Sequence, residues 1–139
     1  MPKSIWLEGK LLDAMYGNAA WPTIPATWYL ALFTTAPTNI TDSAIEPTIG
    51  AYARKSIVNN TTNFPAAAKS GSLPMTKYNG SVITFATATA GWGTIVGFGV
   101  FDTLIAGNLW HYGTVTPSSA VVTGTIFSVD FSNLILTET

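Results

Sequence analysis

Cysteine is absent from this 139-residue chain, histidine occurs once, and charged residues make up only 9% of it. Without cysteine there is no disulfide framework, no thiolate zinc site and no cysteine nucleophile. An ordinary domain carries about 25% charged residues, so most of this exterior must be neutral. The formal net charge of -1 and the pI of about 5.6 leave no basic stripe for a phosphate backbone, and nucleic acid is not an expected partner. The longest unbroken apolar run, Trp28 to Phe33, falls far short of the roughly 20 residues that span a bilayer. The N-terminus has no apolar signal core. The expectation is a soluble, unsecreted chain with no membrane partner.

What is present points to one all-β domain over 1–139. At 14.7 kDa the chain can bury about two-thirds of its unfolded surface, enough for a core without metals or disulfides. The one helical pattern is at about 4–16: Ser4 is placed to cap, Leu7, Leu11, Leu12 and Met15 recur at helical spacing, and Gly17-Asn18 is a stop. Short strands are predicted at about 27–35, 51–58, 81–88, 94–101, 108–115, 125–131 and 134–137. Their close spacing, with Gly, Pro, Ser and Asn between them, predicts a single β-sandwich, jelly-roll-like, at about 27–137 behind the helix. Two long irregular stretches, 36–50 and 59–78, are candidates for function. In the 94–101 strand, Gly97 and Gly99 share a face, which predicts bulky neighbours over them. In the 125–131 strand, Phe127, Val129 and Phe131 share an inward face. The 21 threonines suit strands with a polar, uncharged exterior.

No catalytic constellation emerges. The lone His111 sits inside a predicted strand, without the paired spacing that a metal requires. Ser, His and Asp are all present, but no GxSxG elbow accompanies them. Glu8 and Asp13 lie five apart on the helix and do not face each other, and Asp102 reads as a turn residue before Ala106-Gly107-Asn108. The glycine pairs at 91/93 and 97/99 fit neither phosphate-loop pattern and precede strand rather than helix. No catalytic residue, cofactor, metal or small-molecule substrate is expected. Aromatics are the distinctive group, 12% of residues with five tryptophans. Trp28 and Trp110 read as core. Trp6 and Trp21 read as core or as anchors on a partner surface, with sugar stacking as a further use of an exposed tryptophan.

Several blocks resemble a family of small tailed-phage virion proteins often labelled tail-fibre-like. They are Leu11-Leu12-Asp13-Ala14-Met15-Tyr16-Gly17, Tyr29 to Pro37, Gly50-Ala51-Tyr52-Ala53-Arg54, Ile83 to Ala88 with Gly91-Trp92-Gly93-Thr94, Phe98 to Asp102, and Gly107-Asn108-Leu109. The likeness spans 11–117; beyond Pro117 the family's Gly-Asp pair is replaced by Thr123-Gly124-Thr125. The length and expected jelly roll also look like the capsid cement proteins of the Bordetella podophage type. That resemblance implies a non-enzymatic homodimer on the outer capsid surface, bridging copies of the major capsid protein. The cement role is the expectation preferred here, because neither repeats nor a fibre shaft is visible. The alternative is a tail-fibre or tail-tip component that binds a host receptor or glycan. Candidate partner contacts are Trp6 and Trp21 with Pro37, Asn39, Ile45, Pro47, Phe64, Leu73, Met75 and Tyr78 from the two long stretches.

Overall fold

The computed structural model describes residues 3–40, 44–69 and 75–137. The helix forms as predicted, α1 at Ile5–Tyr16, with the Ser4 hydroxyl accepting from the Leu7 N–H and the Gly17 N–H closing on Asp13 O. Ser4 is fully buried and also donates its hydroxyl to Leu109 O, so one side chain starts the helix and ties it to the sheet. The buried stripe is narrower than expected: Leu7 faces inward with half-buried Leu11 and Ala14, while Leu12 and Met15 face out.

Eight strands follow: β1 Thr27–Phe33, β2 Lys55–Val58, β3 Thr76–Tyr78, β4 Ile83–Thr84, β5 Gly93–Phe101, β6 Leu109–Val121, β7 Ser128–Val129 and β8 Ile135–Thr137. They make one four-stranded antiparallel sheet in the order β2-β1-β5-β6 and two small antiparallel pairs, β3-β8 and β4-β7. The fold is thus mostly β with one short N-terminal helix and several antiparallel sheets. Strand β3 lies inside a stretch expected to be irregular, and β6 runs six residues past its expected end.

Strand β1 is apolar on both sides because both faces of the large sheet are covered. On one face Leu30 and Leu32 join Ile57, Phe64, Ile83, Phe85, Trp92, Ile95, Val121, Phe127 and Leu134 in the main core. On the other, Ala31 and Phe33 pack with Phe101 and Leu109, flanked by Ala44. The glycine face of β5 is filled as predicted. A Cβ at Gly97 would lie 2.5 Å from Pro37 Cδ, and one at Gly99 would lie 2.8 Å from both Leu109 Cδ1 and Phe33 Cζ. Phe131, expected inside, is exposed because β7 ends at Val129.

Candidate functional site

Two of the recesses among the described residues differ in chemistry. The first, about 380 Å³, is apolar. Leu7 and Leu11 of α1, Trp28 and Leu30 of β1, Val100 of β5 and Trp110 of β6 line it, and its polar lining residues are Lys3 and His111. Trp110 is the hub of an indole cluster: its ring centroid lies 4.9 Å from that of Trp28, 5.1 Å from Trp6 and 6.4 Å from Trp21. The Trp28 and Trp21 contacts are edge-to-face, the arrangement that ring quadrupoles favour.

The second recess, about 550 Å³, is a groove lined by apolar residues and by a Thr- and Ser-rich stretch of the chain. Its origin is a mismatch between β5 and β6. Ile95 pairs with Ser119 and Gly97 with Thr114, so four residues of β6 stand opposite the single residue Val96. The surplus, Val115 to Ser118, bows away from the sheet. Residues 114–119 of β6 and residues 125–130 flank it, with Val115 and Val129 turned to the core side and Thr114, opposite Gly97, on the sheet face away from Phe98. Leu32, Phe98 and Phe127 lie between the two segments. The 125–130 side is held by Asn79, which is fully buried. Its amide donates to Ser81 O at 2.9 Å and Asp130 O at 2.8 Å, and its carbonyl accepts from the Leu134 N–H at 2.8 Å. Asn79 was not among the residues singled out from the sequence, where only the Asn-Gly turn signal marks it.

A third feature is polar and preorganised. The Arg54 guanidinium pairs with Glu46 at 2.7 Å, lies 3.7 Å over the Phe101 ring, and donates to Thr103 O and Ala106 O at 3.0 and 2.7 Å. It therefore clamps the β5–β6 hairpin tip from below. Tyr52 donates its hydroxyl to Glu46 and accepts from the Leu32 N–H, and burial pushes its ionisation well above the ordinary tyrosine range. Within the tip Asp102 accepts from the Asn108 N–H and side-chain amide, both at 2.8 Å, and from the Trp110 indole at 3.3 Å. Burial opposes the charged form of Asp102, but these hydrogen bonds outweigh it and hold the carboxyl below its ordinary range. The turn role expected of Asp102 is thus seen. At the apex Ile105 is 82% exposed.

The expected partner residues are dispersed. Trp6 is half-buried against Trp110, while Trp21 stays 40% exposed at the rim of the apolar recess. Pro37 covers Gly97, and Asn39 O accepts from the Ile5 N–H. Ile45 pairs its backbone with Thr34 and Thr35 and leaves its side chain exposed. Phe64 and Pro47 are buried, and Phe64 also lines the apolar recess. Met75 is exposed and Tyr78 is half-buried in β3. Leu73 lies outside the described residues. None of these residues lines the second recess.

Among the described residues no group of three or more His, Asp or Glu side chains is placed to hold a metal. No helix among them is long and apolar enough to cross a membrane. No curated protein matches the chain in a sequence search. A family match, however, covers residues 2–137. The protein accordingly belongs to the family described as podophage GP4 fiber I protein gp80, a family of structural, non-enzymatic virion proteins of tailed phages.

Proposed function

We propose that the protein is a tail-fibre or tail-tip component that meets the host surface, with the groove between β6 and the 125–130 segment as its contact face. The observation that carries this reading is the fibre-family match over nearly the whole chain. The groove supports it: it is a recess lined by both polar and apolar residues, the composition typical of specific ligand sites. The cement expectation drew on an anticipated jelly roll, and the strands here are divided among one four-stranded sheet and two small pairs.

Antibody labelling of intact particles tests the proposal. Label confined to the tail is the expected result. Label spread in hundreds of copies over the head would overturn it in favour of cement, a homodimer on the outer capsid surface bound to the major capsid protein.

A further inference from the structure

We propose that the apolar recess lined by α1 and the large sheet binds a medium-chain aliphatic carboxylate, its chain inside and its carboxylate at the Lys3–His111 edge. This goes beyond the host-contact reading and uses a different part of the molecule. The pairing registers show which side chains face the recess. Leu30 is paired with Val100, Val100 with His111 and His111 with Lys3. These four stand in one row across one face of the sheet, because directly paired residues point to the same side. Trp28, two residues before Leu30, shares that face with its own partner Ile57. Trp110 joins them although it adjoins His111. It is the extra residue where the β5–β6 register shifts between Val100 and Phe101, and its ring lies 4.9 Å from that of Trp28. All of these residues line the recess.

The recess is a cavity and not a bare face. Leu7, Leu30, Ile57, Phe64, Trp110 and Leu134 of its lining are buried, so several elements close around it. Leu11, Trp28 and Val100 are only half-buried, which leaves a way in. An apolar cavity of about 150 Å³ takes up benzene. On that scale the recess, about 380 Å³, has room for roughly 12 to 15 non-hydrogen atoms. Branched aliphatic side chains outnumber rings in the lining, and an unbranched chain follows such irregular walls as methionine does in protein cores. The polar end sets the sign of the head group. Among the described residues the polar lining is Lys3 and His111, both basic and adjoining through their bridge, and no Asp or Glu lines the recess. A carboxylate is thereby favoured over an alcohol or an amine of equal chain length.

The test titrates the intact chain with straight-chain carboxylates from hexanoate to tetradecanoate, each below its micellar concentration. Calorimetry and tryptophan fluorescence both read it, since Trp28 and Trp110 stand in the lining. Affinity should rise about three- to fourfold per added methylene and level off near decanoate or dodecanoate, where the cavity is full. Decanol and decylammonium should bind more weakly than decanoate. Lys3→Met should cut the preference for decanoate over decanol by about three- to tenfold and leave decanol binding unchanged. Leu11→Trp and Val100→Phe, at half-buried positions, fill the space and should each weaken decanoate by about tenfold or more. Melting temperatures near that of the parent identify the folded variants, and one folded variant suffices. Affinity that keeps rising through tetradecanoate, as adsorption to an open surface gives, would overturn the proposal. So would equal or tighter binding of decylammonium, full binding by a folded cavity-filling variant, sedimentation with anionic phospholipid vesicles in place of decanoate binding, or no binding across the series. None of these results bears on where the protein sits in the particle, so the host-contact reading stands or falls separately by labelling.

Discussion

Replacing Arg54 with methionine isolates the most concentrated polar interaction in a charge-poor protein. Methionine retains an unbranched side chain over Phe101 but removes the guanidinium that pairs with Glu46 and spans Thr103 O and Ala106 O. The Arg54 side chain is 8% exposed and that of Glu46 25%. Breaking a buried pair costs about 3–5 kcal/mol, because the remaining charge is stranded. Glu46 keeps some water and the Tyr52 hydroxyl, which places the pair loss at the lower end, about 3 kcal/mol. The cation–π contact adds about 0.5–1 kcal/mol, for a total near 3–4 kcal/mol. With an unfolding entropy of about 2.1 cal/mol/K per residue, a chain of 139 residues should lose about 10–14 °C in Tm. Scanning calorimetry measures this directly. Arg54→Lys should fall between the two, since it keeps the charge but not the planar fork. Adding Glu46→Gln to Arg54→Met should recover part of the loss by removing the stranded carboxylate. A shift below 2 °C for Arg54→Met would refute the argument and reduce the pair to a solvated surface contact.

Gly97→Val and Gly99→Val should each destabilise by about 1–3 kcal/mol through overpacking against Pro37 and Gly113 or against Phe33 and Leu109; denaturant midpoints check this, and neutrality at both sites would mean that the face is open. Trp110→Ala should cost about 3–5 kcal/mol, since Trp110 anchors three other indoles, as measured by urea unfolding. Because the folded pKa of Asp102 is depressed, its contribution is fully present above its unfolded pKa of about 4 and disappears as pH falls through the folded value. Asp102→Asn should therefore lose less Tm than the parent between pH 5 and pH 2.5; an identical slope would remove Asp102 from the acid response. Ser4→Ala should cost about 1 kcal/mol, read from the same melts.

Local chemistry was legible in the sequence and long-range pairing was not. Ser4 and Gly17 bracket a helix by capping alone, and the two-sided apolar run of β1 announces a strand covered on both faces. The paired glycines of β5 predicted their bulky neighbours because alternation fixes which side chains share a face. Phe64, set among Asn, Thr and Pro, looks like a loop residue until the fold carries it into the core. The groove is harder still to foresee. It depends on a register in which one residue of β5 stands opposite four of β6, and on Asn79 reaching 51 residues along the chain to Asp130. Arg54 stands in one of the blocks that resemble the family, yet its clamp on the hairpin depends on Glu46 and Ala106 arriving at the same place. Leu12 and Met15 fit the helical period but lie on the outer side, a distinction that spacing alone does not carry.

The tryptophan arrangement gives the protein a built-in optical reporter. Trp6 on α1, Trp21 before β1, Trp28 and Trp110 touch one another through Trp110, whereas Trp92 sits apart, edge-on to Tyr52 and Phe85. Indoles this close couple their electronic transitions and share excitation, so the near-ultraviolet dichroism of the group registers whether the helix and the 21–25 segment are seated on the sheet. Trp92, with its indole N–H bonded to Gly50 O, senses the main core instead. Lifting the N-terminal helix would thus change the coupled band while leaving the Trp92 signal in place, and the two ends of the molecule can be followed separately in one cuvette without a label.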